Sequence, residues 1–136
     1  MAQQPVDLKS VWLGLKAEVD ELAAERRHYL DFFESASEAY VVTDLAGIIG
    51  EANGAAVDLL QRRKRELRGS PLAVAVTLDH RPEFRRWLAS LAGDALHVVR
   101  TVALAGGERI GLELSARLIG TPPGAGGISW RLRAAP

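Results

Sequence analysis

Cysteine is missing from this 136-residue chain. Disulfides, thiolate metal sites and cysteine nucleophiles go with it, and a cytoplasmic setting becomes the default expectation. Net charge is missing too. Seventeen basic residues are matched by 17 acidic ones, so no global field draws the chain to nucleic acid or to an anionic membrane. There is no long apolar run and no charged-then-apolar leader, so neither a membrane span nor a signal peptide is expected. What remains is ordinary. The content of 48% hydrophobic and 25% charged residues fits a globular protein with one core and an appendage.

Residues 1–6 read as a disordered start. From Asp7 to about Ser35 the spacing predicts one long helix. Leu8, Trp12, Leu15, Val19, Leu22, Tyr29 and Phe33 recur at alternating steps of four and three. That is the seam of a coiled coil, with Arg26 as its one polar break. Lys16 and Asp20, and Arg27 and Asp31, sit four apart and can pair on the flanks. Gly14 costs only about 1 kcal/mol within the helix. A helix of this kind cannot bury its stripe alone. It either folds back on its own domain or pairs with a copy of itself. Pairing is the favoured reading, with Leu8, Trp12, Leu15, Val19, Leu22, Arg26 and Tyr29 as the interface. Arg26 would help fix the register, at some cost in stability.

Two short strands follow, at about 39–44 and 48–52, joined around Asp44-Leu-Ala-Gly47. An Asp carboxylate can bond the backbone ahead of it and Gly accepts positive φ, so a tight turn is expected there. Asn53 should cap a helix at about 54–61, with Ala56, Leu59 and Leu60 inward. Residues 62–78 read as short helical turns. Asp79 should cap another helix with Pro82 in its first turn, a buried stripe of Phe84, Trp87, Leu88 and Leu91, and Gly93 at its end. Strands at about 96–104 and 109–119 are joined by Ala105-Gly106-Gly107-Glu108. A last strand, about 127–133, follows the loop Thr121-Pro-Pro-Gly-Ala-Gly-Gly127. Two strands, helices, then three strands give an α+β class with an antiparallel sheet covered on one face.

Three segments carry a family resemblance. They are the Asp44–Gly47 turn, the helix Asn53-x-Ala-Ala-x-x-Leu-Leu60, and Glu66-Leu67-x-Gly69-x-Pro71-Leu72. The hairpin with Glu113-Leu114-Ser115-Ala116 is a fourth feature. With them, residues 32–134 resemble a PAS domain, a small sensory and pairing module that is not usually an enzyme. The resemblance implies a five-stranded antiparallel sheet in the order 2-1-5-4-3, short helices on one face, a cavity between, and dimers formed through a flanking N-terminal helix. The expected organisation is a start at 1–6, a pairing helix at 7–31, the domain at 32–134 and a tail at 135–136.

Members of that family differ in what the cavity holds. Without cysteine, the flavin–thiol photochemistry of light-oxygen-voltage members and the thiol-linked chromophore of photoactive yellow proteins are both excluded. No motif favours non-covalent flavin. Oxygen-sensing members place a haem-ligating His near the position of His80, but His80 follows a capping Asp and should sit in an exposed first turn. His28 and His97 have no partners at metal-ligand spacing. By alternation, Ile110, Leu112, Leu114 and Ala116 share a face. Val98, Arg100, Val102 and Leu104 share one expected to be the same, and Ile128, Trp130 and Leu132 alternate on the last strand. By the resemblance these faces look inward. Arg100, Leu112, Leu114, Ala116 and Trp130 then line any ligand pocket. The Trp130 indole would fill much of it. Arg100 would hold a small carboxylate, pair with Glu113 or Asp94, or reach water at the sheet edge.

The run Arg62-Arg-Lys-Arg65 with Arg68 is basic, but Glu66 interrupts it and no aromatics interleave for base stacking, so a solvated surface is expected. Gly124-Ala-Gly-Gly127 lacks the lysine and helix of a phosphate loop. No nucleophile, base and orienting group stand together. The Arg-Asp-Ile-Thr ending of many sensor PAS domains is absent, and Arg133 is followed by Ala134-Ala135-Pro136. No output domain is expected within the chain, so effectors would come either from a partner or from a longer protein of which this chain is a piece. The expected protein is a cytoplasmic, bacterial-type signalling module, homodimeric, with a protein partner and no cofactor, metal, membrane or nucleic acid. The alternative is a receptor for a small molecule, a carboxylate ahead of haem or flavin.

Overall fold

A computed structural model describes residues 7–93, 95–120 and 126–135. The expectations for residues 1–6, Asp94, the loop at 121–125 and Pro136 lie outside them. The chain divides into two compact units, with the boundary between Phe33 and Glu34.

The described residues of the first unit lie almost wholly in helix α1, whose full range is Leu8–Ser35. Asp7 opens it. Its Oδ1 accepts from the Lys9 N–H at 3.1 Å, and its Oδ2 accepts from the Ser10 hydroxyl at 2.7 Å. The Lys9 bond satisfies a backbone donor that a helix start leaves free. Both bonds hold the Asp7 carboxyl below its usual range, chiefly through the Ser10 hydroxyl. No residue of α1 is buried.

The second unit is a five-stranded sheet with short helices. The strands are β1 (Ala39–Asp44), β2 (Ile49–Ala52), β3 (His97–Ala105), β4 (Glu108–Ile119) and β5 (Gly127–Ala134). Every neighbouring pair is antiparallel and the order is β2-β1-β5-β4-β3, the order implied by the resemblance. Helices α2 (Gly54–Leu60), α3 (Lys64–Leu67) and α4 (Arg81–Ser90), with a 3-10 turn at Leu72–Ala75, lie between β2 and β3 in sequence. The core forms where the inner strand faces meet these helices. Val41, Leu112, Leu114, Ile128, Trp130 and Leu132 from the sheet pack with Leu60, Leu72 and Phe84.

Local chemistry explains the joints. In the β1–β2 turn the Asp44 Oδ1 accepts from the Ile48 N–H at 2.9 Å, and Gly47 has φ +86°. The β3–β4 hairpin turns on Gly106 and Gly107, both at positive φ, the pair that a two-residue turn requires. The segment after α3 is pinned to β2. The Gly69 N–H donates to the Ile49 carbonyl at 2.8 Å and the Ile49 N–H to the Ser70 carbonyl at 2.9 Å. Leu67 and Leu72 enter the core from either side of this clamp.

Asn53 joins three pieces of chain. Its Oδ1 accepts from the Ala56 N–H at 3.0 Å, capping α2, and from the Tyr40 N–H at 2.9 Å, while its Nδ2 donates to the Glu38 carbonyl at 2.8 Å. Asn53 is fully buried, so each bond replaces one lost to water. The other expected cap needs correction. His80, not Asp79, precedes α4, and its side chain makes no capping bond. The Asp79 carboxylate is instead held from β4, 2.9 Å from Arg109 Nη2. That guanidinium keeps the carboxyl far below its usual range.

Candidate functional site

The space between sheet and helices is occupied by aromatic side chains. Trp130 projects inward from the middle of β5. Its strand neighbours are Val41 on β1 and Ala116 on β4. The small Ala116 leaves room for the indole, whose ring centroid lies 5.8 Å from that of Phe84 and 5.5 Å from that of Trp87. Such separations suit tilted aromatic pairs. The buried indole N–H donates to the Thr43 hydroxyl at 2.9 Å, which in turn donates to the Asp44 carbonyl at 2.8 Å. No polar atom of Trp130 is left for a ligand. Leu112, Leu114 and Ala116 lie on the same inner face, all buried.

Arg100 does not join them. The inner residues of β3 are Val99, Thr101, Ala103 and Ala105, with Thr101 opposite Leu112 and Val99 opposite Leu114. The face holding Val98, Arg100, Val102 and Leu104 is the outer one, which corrects the expectation by a single residue of phase. The Arg100 side chain is 77% exposed, with Nε 3.9 Å from Glu113 Oε2. It therefore meets the protein acid named as one of its alternatives and takes no part in an internal carboxylate site.

His80 precedes α4 at a partly exposed position, with Nε2 3.8 Å from Asp79 Oδ2. The cavity beside it, lined by Glu83, Phe84, Val99, Arg100 and Thr101, measures about 10 Å³. That is on the order of one water, so the residues around His80 do not fit a haem. Among the described residues, no group of three His, Cys, Asp or Glu side chains could hold a metal ion.

A larger cleft, about 410 Å³, opens where β1 begins and β5 ends, beside α2. Ala39, Ala55, Leu59 and Leu132 line it, with Glu38 and Arg133 at its edge. Glu38 is a hub that the sequence did not reveal. Its Oε1 accepts from Arg133 at 2.7 Å and its Oε2 from the Tyr40 hydroxyl at 2.9 Å. Arg133, then Tyr40, hold the Glu38 carboxyl below its usual range. The same bonds push the Arg133 and Tyr40 values up. The hub ties the chain entering β1 to the chain leaving β5. Local pattern could not find it, because 95 positions separate Glu38 and Arg133.

The basic run is dispersed over separate partners. Lys64 reaches Glu34 at 2.6 Å and Arg68 reaches Glu51 at 2.5 Å. It forms no continuous anion track. On α1, taken by itself, Leu8, Trp12, Leu15, Val19, Leu22 and Tyr29 are exposed, and Arg26 lies among them. Lys16 stands over the Trp12 ring, 5.3 Å from its centroid, in place of the expected pair with Asp20. Among the described residues, no helix is long and apolar enough to cross a membrane.

Comparison with known proteins agrees with this architecture. A family model described as the PAS fold matches residues 27–134. The fold is similar to the PAS domain of an HTR-like protein from Haloarcula marismortui, at 16% identity and TM-score 0.75, covering 88% of this chain and 99% of that one. It is similar to a domain of a sensory box sensor histidine kinase/response regulator from Geobacter sulfurreducens, at 19% identity and TM-score 0.65, covering 81% and 95%. A third similar structure is the PAS domain, in complex with ethanol, of a LuxR-family transcriptional regulator from Burkholderia thailandensis. Its identity is 14% and its TM-score 0.64, with coverage of 78% and 96%. No curated protein matches the chain.

Proposed function

The chain belongs to the PAS family, and from that premise we propose that it is a sensory and interaction module that pairs with a second copy through α1 and works without a bound chromophore. The observation that carries this reading is the seam of α1. Leu8, Trp12, Leu15, Val19, Leu22 and Tyr29 recur at heptad spacing, and all are exposed on a helix with no buried residue. Apolar side chains at this spacing gain their stability by burial against a matching helix. Arg26 within the seam selects one register over others, because only some alignments let its guanidinium reach water or an acid.

The chromophore-free part is supported by the inner face. Trp130, Phe84 and Trp87 fill the region a cofactor would need, and every inner residue of β4 and β5 named above packs in the core. Signalling would then run through contacts. A partner protein biases α1 between packings, and the differential contact energy sets the size of the shift. The module acts as a contact device and not as an enzyme, in a cytoplasmic, bacterial-type signalling system.

Sedimentation velocity tests the pairing. The parent chain is expected at twice its monomer mass. The double variant Leu15→Glu, Leu22→Glu is expected at the monomer mass with its sheet domain intact. A variant that still sediments as a dimer would move the interface off the seam. An absorbance scan and denaturing mass spectrometry of the purified protein test the other part. A visible band or a released compound would defeat it.

A further inference from the structure

The outer face of the sheet holds a cleft of about 250 Å³, lined by Tyr40, Leu96, Ser115, Arg117, Ser129 and Arg131. Strand register builds its floor. Ser115 lies opposite Arg131 and Arg117 opposite Ser129 across β4 and β5, and Tyr40 lies opposite Arg131 from β1. Alternation aims these side chains outward because Leu114, Ala116, Trp130 and Leu132 between them fill the core.

Some donors of this cleft lack a hydrogen-bond partner among the described residues. Ser115 is only 5% exposed, yet among the described residues its hydroxyl has no hydrogen-bond partner, and it faces the cleft. The Arg131 Nε is buried and equally without a partner. Its Nη1 stays 4.0 Å from Glu38 Oε2, while Glu38 makes its 2.7 Å bond to Arg133. Arg100 is answered by Glu113. Arg117 has no carboxylate at ion-pair distance among the described residues. Two guanidiniums and two hydroxyls therefore meet in one cleft, where Glu38, 4.0 Å from Arg131, is the one carboxylate at ion-pair distance among the described residues. The buried Arg131 Nε left unpaired costs stability, and an anion in the cleft would offset that cost.

We propose that this cleft is an oxyanion subsite on the outside of the sheet, which takes the carboxylate or phosphate group of a small molecule. The Arg117 and Arg131 guanidiniums offer planar forks matched to such groups. The Ser115 and Ser129 hydroxyls bond the remaining oxygens. Leu96 at the rim and the Tyr40 ring provide an apolar wall for a short carbon body. The volume admits a compact anion and excludes most drug-sized ligands. The proposal is independent of pairing through α1.

The test is a titration of the full chain, followed by backbone amide shifts. Succinate and inorganic phosphate are added separately at constant ionic strength, with sodium chloride as the control. Saturable shifts confined to Ser115, Arg117, Ser129 and Arg131 are expected for one of the two anions and not for chloride. Whichever anion binds more tightly identifies the source of the oxyanion. Arg117→Ala should weaken that binding at least tenfold, and Arg117→Lys should restore part of it. Ser115→Ala, a small change that preserves the fold, should weaken it severalfold with the spectrum otherwise unchanged. Shifts no larger than those with chloride, or equal affinity in Arg117→Ala and the parent, would overturn the assignment.

Discussion

Two tryptophans summarise two regions of this molecule. Trp130 on β5 is fully buried, and Trp12 on α1 is 59% exposed. The first has its apolar surface covered and its N–H bonded by residues of its own domain. The second belongs to a helix in which nothing is buried. The sheet domain closes its own core, whereas the apolar stripe of α1 is exposed along its length. Stability should therefore reside in one region and assembly in the other, and substitutions can separate the two.

The largest effect is expected in the closed region. Trp130→Ala removes the central aromatic and strands the Thr43 hydroxyl, and should cost about 3–5 kcal/mol in denaturant unfolding. A loss near zero would mean that the inner face is not packed as described. Asn53→Ala comes next, at about 2–4 kcal/mol, from a lost cap and two backbone groups left buried without partners. Smaller again is Gly47→Ala. The turn needs φ +86° there and a Cβ would sit 2.9 Å from Leu88 Cδ2, so about 1–2 kcal/mol is expected.

An acid titration sharpens the contrast further. Arg133 and Tyr40 hold the Glu38 carboxyl below its usual range, so the folded domain releases that proton more readily than the unfolded chain. In the acid range the unfolded state then binds more protons, and stability falls as pH drops through the carboxylate range toward the folded value. Thermal unfolding followed from pH 7 downward should show this decline, with a shallower slope in Glu38→Gln. Parallel slopes in the two proteins would mean that the hub contributes nothing. The smallest effect on the domain is expected from Leu15→Glu with Leu22→Glu, within about 0.5 kcal/mol of the parent, although assembly should be lost.

The same contrast explains what could be read from sequence. Strand limits on β1, β4 and β5 were legible to within a residue because turn residues bracket alternating runs. Strand β3 was misread because His97-Val-Val-Arg-Thr-Val-Ala-Leu-Ala105 is apolar on both faces, so alternation alone cannot choose a phase. The signal that could have chosen it was the hairpin. Counting back from Gly106-Gly107 places Ala105 opposite Glu108 and therefore Thr101 opposite Leu112, which sends Arg100 outward. The Glu38–Arg133 and Asp79–Arg109 pairs were invisible for another reason: each joins charges far apart in sequence, which only the folded sheet brings together. The outer cleft does not depend on that phase. Arg117 and Arg131 alternate with the inward Ala116 and Trp130, and the β4–β5 register sets Arg131 opposite Ser115 and Arg117 opposite Ser129.

The absence of cysteine allows a direct test of the central claim, that α1 is where two copies meet. Leu22 lies near the midpoint of Leu8–Ser35, so in a centred pair it approaches its own copy whether the helices run parallel or antiparallel. A Leu22→Cys chain would carry a single thiol, and a disulfide forms only when the two Cα atoms come within about 7 Å. Mild oxidation at low protein concentration should give a covalent dimer in high yield. A Leu22→Cys chain that stays monomeric, while a Val98→Cys chain on the outer sheet face cross-links instead, would contradict the account.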